Sequence, residues 1–370
     1  MFKNILVLCF SENGGGMELD TIRFCRRLST YTNVTLIAVN GSLIESMATD
    51  DRKCGFRYNF IGCSLNRFLA RSLIDPRLVK VIRKEYKNNQ YDLVIFYGTS
   101  EVKSIAIALL GLTARLVVRI GTTINRPKTN WFQRLFYSRV DAFLVTSEHI
   151  KSNIFQSFPV ACRRPVEVCY PVILATDVIS KTNEHLDNVN VVYHSRFARG
   201  KGQIDAVMAF NAIKRDHSFL NFLLVGSFED EAYVEEIKSY IEEHNLSDQI
   251  NILPSTKDVY SLLSKGHIFL APSYGEGFSN SFAEAMSFGL VCVVYDNTAL
   301  HYFRGLGFDY FMVPTGDIPA LGIALSNAVN SLRNGLVDIK RNQELVSQLF
   351  SAEQEKLVLE SLYHKLNPLD

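Results

Sequence analysis

The sequence predicts an α/β protein of two doubly wound domains in tandem. Three observations carry this expectation. Short apolar runs alternate with amphipathic segments along most of the chain, the pattern of parallel strands joined by helices. The alternation lapses once, over the polar stretch Thr176–Asn188, and then restarts. The chain has 370 residues, enough for two domains that each bury a core of their own.

The elements follow in order. Lys3–Phe10 is a near-continuous apolar run, as expected of a parallel strand covered on both faces. Gly14, Gly15 and Gly16 break it. Glu18–Leu28 then places apolar residues at Leu19, Ile22, Cys25 and Leu28, a helical period. Val34–Val39 reads as a second strand, Pro76–Lys87 as a basic helix and Leu93–Tyr97 as a strand. Ile105–Leu112 reads as a short buried helix, and Leu116–Ile120 and Ala142–Thr146 as strands. Beyond the polar stretch, strands are predicted at Asn190–Tyr193, Phe222–Val225, Ile250–Leu253, Ile268–Ala271 and Val291–Tyr295. Helices are predicted at Glu231–His244, Phe282–Phe288 and Ala352–Leu366. The expected division is residues 1–175, residues 176–351, and a closing segment 352–370 that packs back on the first domain.

Composition narrows the function classes. Hydrophobic residues make up 47% of the chain and charged residues 21%, the balance of a globular protein. No apolar stretch approaches the roughly 20 residues of a membrane-spanning helix. The first apolar run, Ile5–Phe10, is too short for a secretory leader and has no cleavage motif after it. Cys9, Cys25, Cys54, Cys63, Cys162, Cys169 and Cys292 are scattered and never in C-x-x-C spacing. That speaks for small core residues in a reducing cytosol, against a disulfide framework or zinc site. No metal, cofactor or nucleic-acid partner is expected. The net charge of +1 hides an asymmetry: residues 1–175 hold 24 Lys and Arg against 13 Asp and Glu, and residues 176–370 hold 15 against 25. Complementary faces between the halves, chance, or an anionic partner for the first half all fit.

Three motifs carry chemistry. The first runs Glu276-Gly-Phe-Ser-Asn-Ser-Phe-Ala-Glu284, then Ala285-Met286 and Gly289, after a predicted strand. Backbone amides at Gly277, Phe278 and Ser279 would open the following helix, where the helix dipole favours an anion. Glu276 and Glu284 would face the hydroxyls of a polyhydroxy ligand. The second motif, Ser195-Arg196-Phe197-Ala198-Arg199-Gly200-Lys201-Gly202, follows the first strand of the second domain. Arg196 and Lys201 offer permanent cations to a diphosphate, and Arg199 is a possible extra contact. In isolation this segment also reads as a basic surface turn. The third is Asn13-Gly14-Gly15-Gly16-Met17-Glu18, a Gly-rich turn at a helix start. It lacks the G-x-G-x-x-G spacing of a dinucleotide fingerprint.

The stretch 276–289 resembles the E-x7-E signature of glycosyltransferase family 4, retaining enzymes of the GT-B fold. The Arg196 and Lys201-Gly202 spacing and the Gly15-Gly16 turn resemble that family's donor-diphosphate contacts. Arg139-Val-Asp141 to Glu148, Leu224-Val225-Gly226 and Asp258–His267 are weaker matches. The resemblance implies two Rossmann-like domains facing a cleft, an N-terminal acceptor domain and a C-terminal nucleotide-sugar domain. It makes Glu276, Arg196 and Lys201 the catalytic set, and Gly15, Gly16, Gly277, Phe278, Ser279 and Glu284 the donor-binding set. Many members carry a histidine at the end of a middle strand of the first domain. Here that strand reads Val118-Arg119-Ile120-Gly121-Thr122-Thr123. Arg119 or Thr122 would occupy that space, or Arg119 would tether the sheet.

The implied reaction moves a hexosyl unit from a nucleoside-diphosphate sugar, UDP-linked in preference to GDP-linked, to a hydroxyl of a glycan or glycolipid. The implied setting is lipopolysaccharide or other surface polysaccharide synthesis at the inner face of the cytoplasmic membrane. Chemistry would be metal-independent, because no Asp-x-Asp pair occurs. A nucleotide-sugar epimerase on a similar fold and a non-catalytic sugar-nucleotide-binding protein are the alternatives. One segment bears on the membrane. Arg67, Arg71, Arg77, Lys80, Arg83, Lys84 and Lys87 are interleaved with Phe68, Leu69, Leu73, Leu78, Val79 and Ile82. It reads either as a basic amphipathic surface in an anionic headgroup plane, or as a helix with its apolar residues in the core and its basic ones solvated. Trp131 and Phe132, flanked by Arg126, Lys128 and Arg134, would add an apolar anchor.

Overall fold

The computed structural model describes residues 2–11, 16–50, 55–62, 74–173, 188–215, 217, 219–256, 258–334 and 336–368. The chain forms two compact units. One comprises Met1–Pro171 with Ala352–Asp370, and the other Val172–Ser351.

The first unit is a seven-stranded parallel sheet in the order β3-β2-β1-β4-β5-β6-β7. Its strands are β1 (Asn4–Cys9), β2 (Asn33–Val39), β3 (Arg57–Ile61), β4 (Leu93–Tyr97), β5 (Arg115–Ile120), β6 (Ala142–Val145) and β7 (Val166–Val168). Register is set by the strand pleat. Ile5, Val7 and Cys9 enter one core cluster and Leu6 and Leu8 the other, so β1 is buried on both faces. On the first face lies α1 (Gly16–Leu28), which buries Ile22, Phe24, Cys25 and Leu28, near α2 (Leu43–Asp50). On the second face lie α3 (Pro76–Asn89), α4 (Val102–Ala108), α5 (Trp131–Tyr137) and α6 (Glu148–Ser157). Helix starts are chemically marked. Asp75 accepts from the Arg77 amide ahead of Pro76, Asn130 from the Gln133 amide, and Ser147 from the Ile150 amide.

The second unit is a six-stranded parallel sheet in the order β10-β9-β8-β11-β12-β13. Its strands are β8 (Val189–His194), β9 (Leu220–Gly226), β10 (Ile250–Pro254), β11 (Ile268–Ala271), β12 (Val291–Asp296) and β13 (Phe311–Pro314). Its helices are α7 (Gln203–Ile213), α8 (Glu231–Glu243), α9 (Val259–Lys265), α10 (Asn280–Ser287), α11 (Leu300–Gly305), α12 (Ile318–Asn334) and α13 (Ile339–Leu349).

The chain then returns to the first unit as α14 (Ala352–Leu366). Leu359, Leu362 and Leu366 enter the same cluster as α1. The Arg27 guanidinium donates two hydrogen bonds of 2.7 Å to the buried Glu355 carboxylate. Lys365 pairs with Glu167 at 2.6 Å. The expected boundary at 175/176 thus falls at 171/172.

Two sequence readings are settled in the first unit. Arg119 is a tether: its side chain is buried, pairs with Asp20 at 3.0 Å and stacks over the rings of Phe24 and Tyr97. The amphipathic surface reading fails for the apolar residues of α3. Leu78 and Ile82 lie in the core, and Val79 packs against it, because the sheet needs its second face covered. Arg77, Lys80, Arg83, Lys84 and Lys87 remain exposed. Arg83 donates to the carbonyls of Ile107, Ala108 and Leu110 and so caps the end of α4. Arg67, Phe68, Leu69, Arg71 and Leu73 lie outside the described residues. Trp131 and Leu135 on α5 are 77% and 61% exposed, and Phe132 is 37% exposed. Among the described residues, no helix is long and apolar enough to cross a membrane.

Candidate functional site

The second sheet reverses its direction of growth between β8 and β11, which are neighbours though far apart in sequence. In an open parallel sheet, the crevice beyond the carboxyl ends of such a strand pair is where ligands bind. The two strongest motifs leave from those two ends.

The loop after β8 carries Arg196, Arg199 and Lys201. A short 3-10 turn, Arg199–Lys201, ends on Gly202 in the left-handed conformation, with φ +68°. A Cβ there would lie 2.1 Å from the Pro272 carbonyl oxygen, so only glycine lets the β8 and β11 loops approach this closely. Gly226, at the end of β9, does the same on the other side: a Cβ would lie 1.7 Å from the Ser195 carbonyl oxygen. Gln203, buried at the start of α7, donates to the Ser195 hydroxyl at 2.9 Å and the Arg196 carbonyl at 2.7 Å. The Tyr193 hydroxyl donates to the Lys201 carbonyl at 2.6 Å.

The loop after β11 carries Glu276 and is fixed on both sides. The Tyr274 amide donates to the Gly200 carbonyl at 3.0 Å, joining the two loops directly. The Asn297 amide group donates to the Ser273 carbonyl at 2.8 Å. The Thr298 hydroxyl receives the Glu276 amide at 3.1 Å and donates to the Glu276 carbonyl at 2.7 Å. Below them, Asp205 on α7 accepts hydrogen bonds of 2.8 Å from the hydroxyls of Tyr274 and Tyr295. That bond holds the Tyr274 hydroxyl above its ordinary pKa, and burial does the same for Tyr295.

These constraints bring the motifs together. Lys201 Nζ lies 2.7 Å from Glu276 Oε1, with side chains 19% and 15% exposed. Arg196 turns instead to Glu229, at 2.7 Å, and both are largely exposed. Arg199 pairs with Glu236 at 2.8 Å and stacks over Tyr233, so it faces α8. The helix α10 begins at Asn280, which places the amides of Gly277, Phe278 and Ser279 in the turn before it. Ser279 takes φ +72°, a strained value for a residue with a side chain, and gives the helix no side-chain cap. The Phe278 ring is core, packed edge-on against Phe350 at 5.1 Å, so it does not face a ligand. Glu284 sits buried in the second turn of α10. In the first unit, Gly16 is the exposed first residue of α1, and Gly15 lies outside the described residues.

This geometry offers a lysine–carboxylate pair, a second cation and a turn of backbone amides around the end of a parallel sheet. Residues 175–332 match the family described as "Glycosyl transferases group 1". The chain has two Rossmann-like domains of the GT-B kind of fold. It is 22% identical, over 80% of its length and 82% of the relative's, to the N-acetylgalactosamine-N,N'-diacetylbacillosaminyl-diphospho-undecaprenol 4-alpha-N-acetylgalactosaminyltransferase of Campylobacter jejuni. Its structure is similar to that of a glycosyltransferase from Rickettsia africae, with a TM-score of 0.84, 16% identity and 99% of both chains covered. It is also similar to Anabaena Alr3699/HepE in complex with UDP-glucose, with a TM-score of 0.77, 18% identity, and 98% and 100% covered.

The sequence reading missed Gln203, Asp205, Tyr274, Asn297 and Thr298, which hold the two loops. One of them was signalled. Asp205 is an acid in the otherwise apolar run Ile204–Phe210, and a buried carboxylate needs partners.

Proposed function

We propose that this protein is a retaining hexosyltransferase of the family 4 type, using a nucleoside-diphosphate sugar, UDP-linked in preference to GDP-linked. The observation that carries the reading is the Lys201–Glu276 pair at the strand reversal. Lys201 and Arg196 neutralise the leaving diphosphate, and the amides before α10 add donors to it. Glu276 accepts hydrogen bonds from hydroxyls of the donor sugar, and Glu284 takes the ribose. The acceptor hydroxyl attacks from the face the diphosphate leaves, and a phosphate oxygen receives its proton. No side chain forms a covalent bond to the sugar, and no metal takes part. The UDP-glucose held by the Anabaena neighbour supports the donor class. The test is release of UDP or GDP from a panel of donors, with and without acceptor. Acceptor-dependent release supports transfer. Isomerised sugar without release marks an epimerase, and thermal stabilisation by nucleotide without any turnover marks a binding protein. The anomeric configuration of the product decides retention, and activity unchanged by EDTA supports the metal-free route.

The acceptor proposed is a glycolipid of surface polysaccharide synthesis, reached at the cytoplasmic face of an anionic membrane. The diphospho-undecaprenol acceptor named for the Campylobacter relative supports this. So does one face of the first unit. There α4 packs between α3 and α5, so the exposed Lys80, Lys84 and Lys87 share a layer with the exposed Trp131 and Leu135. Arg126 and Arg134 flank the apolar pair. Basic residues supply attraction to anionic headgroups, and the apolar pair supplies the insertion that α3 itself does not.

A further inference from the structure

We propose that Asp205 is a positioning residue for Glu276, acting through the Tyr274 hydroxyl. The inference rests on the reading above, in which Glu276 faces the donor sugar.

Asp205 is 5% exposed on an apolar helix, and its Oδ2 accepts two phenol hydroxyls at 2.8 Å each. The bond to Tyr295, a buried residue of β12, ties α7 to the sheet and would be enough for packing. The bond to Tyr274 does something different. Tyr274 is 48% exposed, belongs to a loop rather than the core, and stands two residues before Glu276. A half-exposed phenol anchored from below by a carboxylate gains little by burial. What the bond fixes is the direction of the chain that follows.

The backbone there has other ties: the Tyr274 amide donates to the Gly200 carbonyl at 3.0 Å and the Ser273 hydroxyl to the Gly275 carbonyl at 3.3 Å, but neither fixes the Tyr274 ring. Thr298 binds the Glu276 backbone, and Asn297 binds Ser273. Between Tyr274 and Glu276 stands Gly275, where an added Cβ would meet nothing within 4 Å, so this step of the chain is held by hydrogen bonds and not by packing. The Tyr274 ring also meets the Tyr295 ring edge-on at 5.7 Å, which orients its hydroxyl toward Asp205. Asp205, Tyr274 and Thr298 therefore bracket Glu276. The carboxylate is aimed at Lys201 from a backbone pinned at both ends. A charged acceptor strengthens the Tyr274 bond relative to a neutral one.

The test is Tyr274→Phe, which keeps the ring and leaves the Asp205–Tyr295 bond in place. Hydrogen exchange decides the positioning claim without any substrate. The amides of residues 275–277 should exchange about tenfold faster, while those of α7 and β11 keep their rates, since loss of one charge-assisted bond shifts a local opening by that order. Unchanged exchange at 275–277 overturns the proposal. Kinetics then tests the consequence. Turnover should fall about tenfold with UDP affinity altered less than about twofold, and in a Glu276→Gln background the same substitution should cost less than about twofold, because the two residues act in series. Additive losses in the double variant would overturn a role through Glu276. Absence of transfer by the unaltered protein on every donor would instead count against the proposed function, and the exchange result would still stand. Asp205→Asn, which keeps an acceptor oxygen, should give a smaller change at the same three amides.

Discussion

Lys201 and Glu276 stand 75 positions apart in sequence and 2.7 Å apart in space. Neither side chain leaves the β8–β11 reversal to make that contact, because both loops are held by backbone bonds. The pair is therefore a property of the fold, and its members should fail differently. Glu276→Ala should reduce transfer at least about tenfold, the loss of one hydrogen bond to a charged group, about 1.5–3 kcal/mol. Urea unfolding should show the fold intact. Near-normal turnover would remove Glu276 from the reaction.

Lys201→Ala and Arg196→Ala should weaken binding of a nucleoside diphosphate more than that of the nucleoside. Equal losses in calorimetry would mark a supporting role only. Glu229→Gln works in the opposite direction. The Arg196–Glu229 pair is exposed, and such pairs contribute about 0–1 kcal/mol. Freeing Arg196 should raise diphosphate affinity by up to about fivefold at low salt, fading as salt is added. Weaker binding would show that Glu229 orients Arg196 instead of competing for it.

Gly202→Ala and Gly226→Ala should each destabilise the second unit by more than about 1 kcal/mol, because an added methyl meets backbone that cannot step aside. Diphosphate affinity should fall with them, since Gly202→Ala pushes apart the loops that carry Lys201 and Glu276, and Gly226→Ala displaces the Ser195–Arg196 backbone. Gly200→Ala, where a Cβ meets nothing within 4 Å, is the control and should change stability little. Equal melting temperatures for all three would contradict the close approach described.

Vesicle sedimentation tests the membrane face. Binding should require anionic lipid and fall with added salt. Changing Lys80, Lys84 and Lys87 to Gln should weaken it, at about 1 kcal/mol for each basic residue near the surface. Trp131→Ser with Leu135→Ser should weaken binding to anionic vesicles further, whereas Leu78→Ser should act only by destabilising the core. Salt-insensitive binding, or none at any anionic fraction, would favour a soluble acceptor.

The inner strands were legible because a parallel sheet buries both faces, which leaves continuous apolar runs such as Ile5–Cys9 and Ile268–Ala271. The edges were not. β3 is largely exposed and polar, β7 has three residues and β13 four, so none leaves a run that stands out. α7 was hidden for the opposite reason. It packs against both α12 and the sheet, is apolar nearly all round, and so shows no stripe. The site was readable where chemistry sits in one short segment, as at 195–202 and 276–284. It was unreadable where function depends on residues far apart. Whether Arg119 faced a ligand or tied the sheet was decided by Asp20, 99 positions away. Whether α3 offered its leucines to a membrane was decided by the sheet beneath it.

The return of α14 to the first unit has a consequence for how the chain is made. Domains usually fold in the order in which they leave the ribosome. Here residues 1–171 emerge with the core cluster beside α1 lacking its three leucines from α14, and with Arg27 lacking the Glu355 carboxylate. Leu359, Leu362, Leu366 and Glu355, which complete that cluster and the Arg27 pair, are translated only after the whole of the second unit. The second unit is contiguous in sequence and can finish first. The half begun earliest is thus completed last, and a nascent chain stalled before residue 352 would display unburied leucine contacts to chaperones and proteases alike.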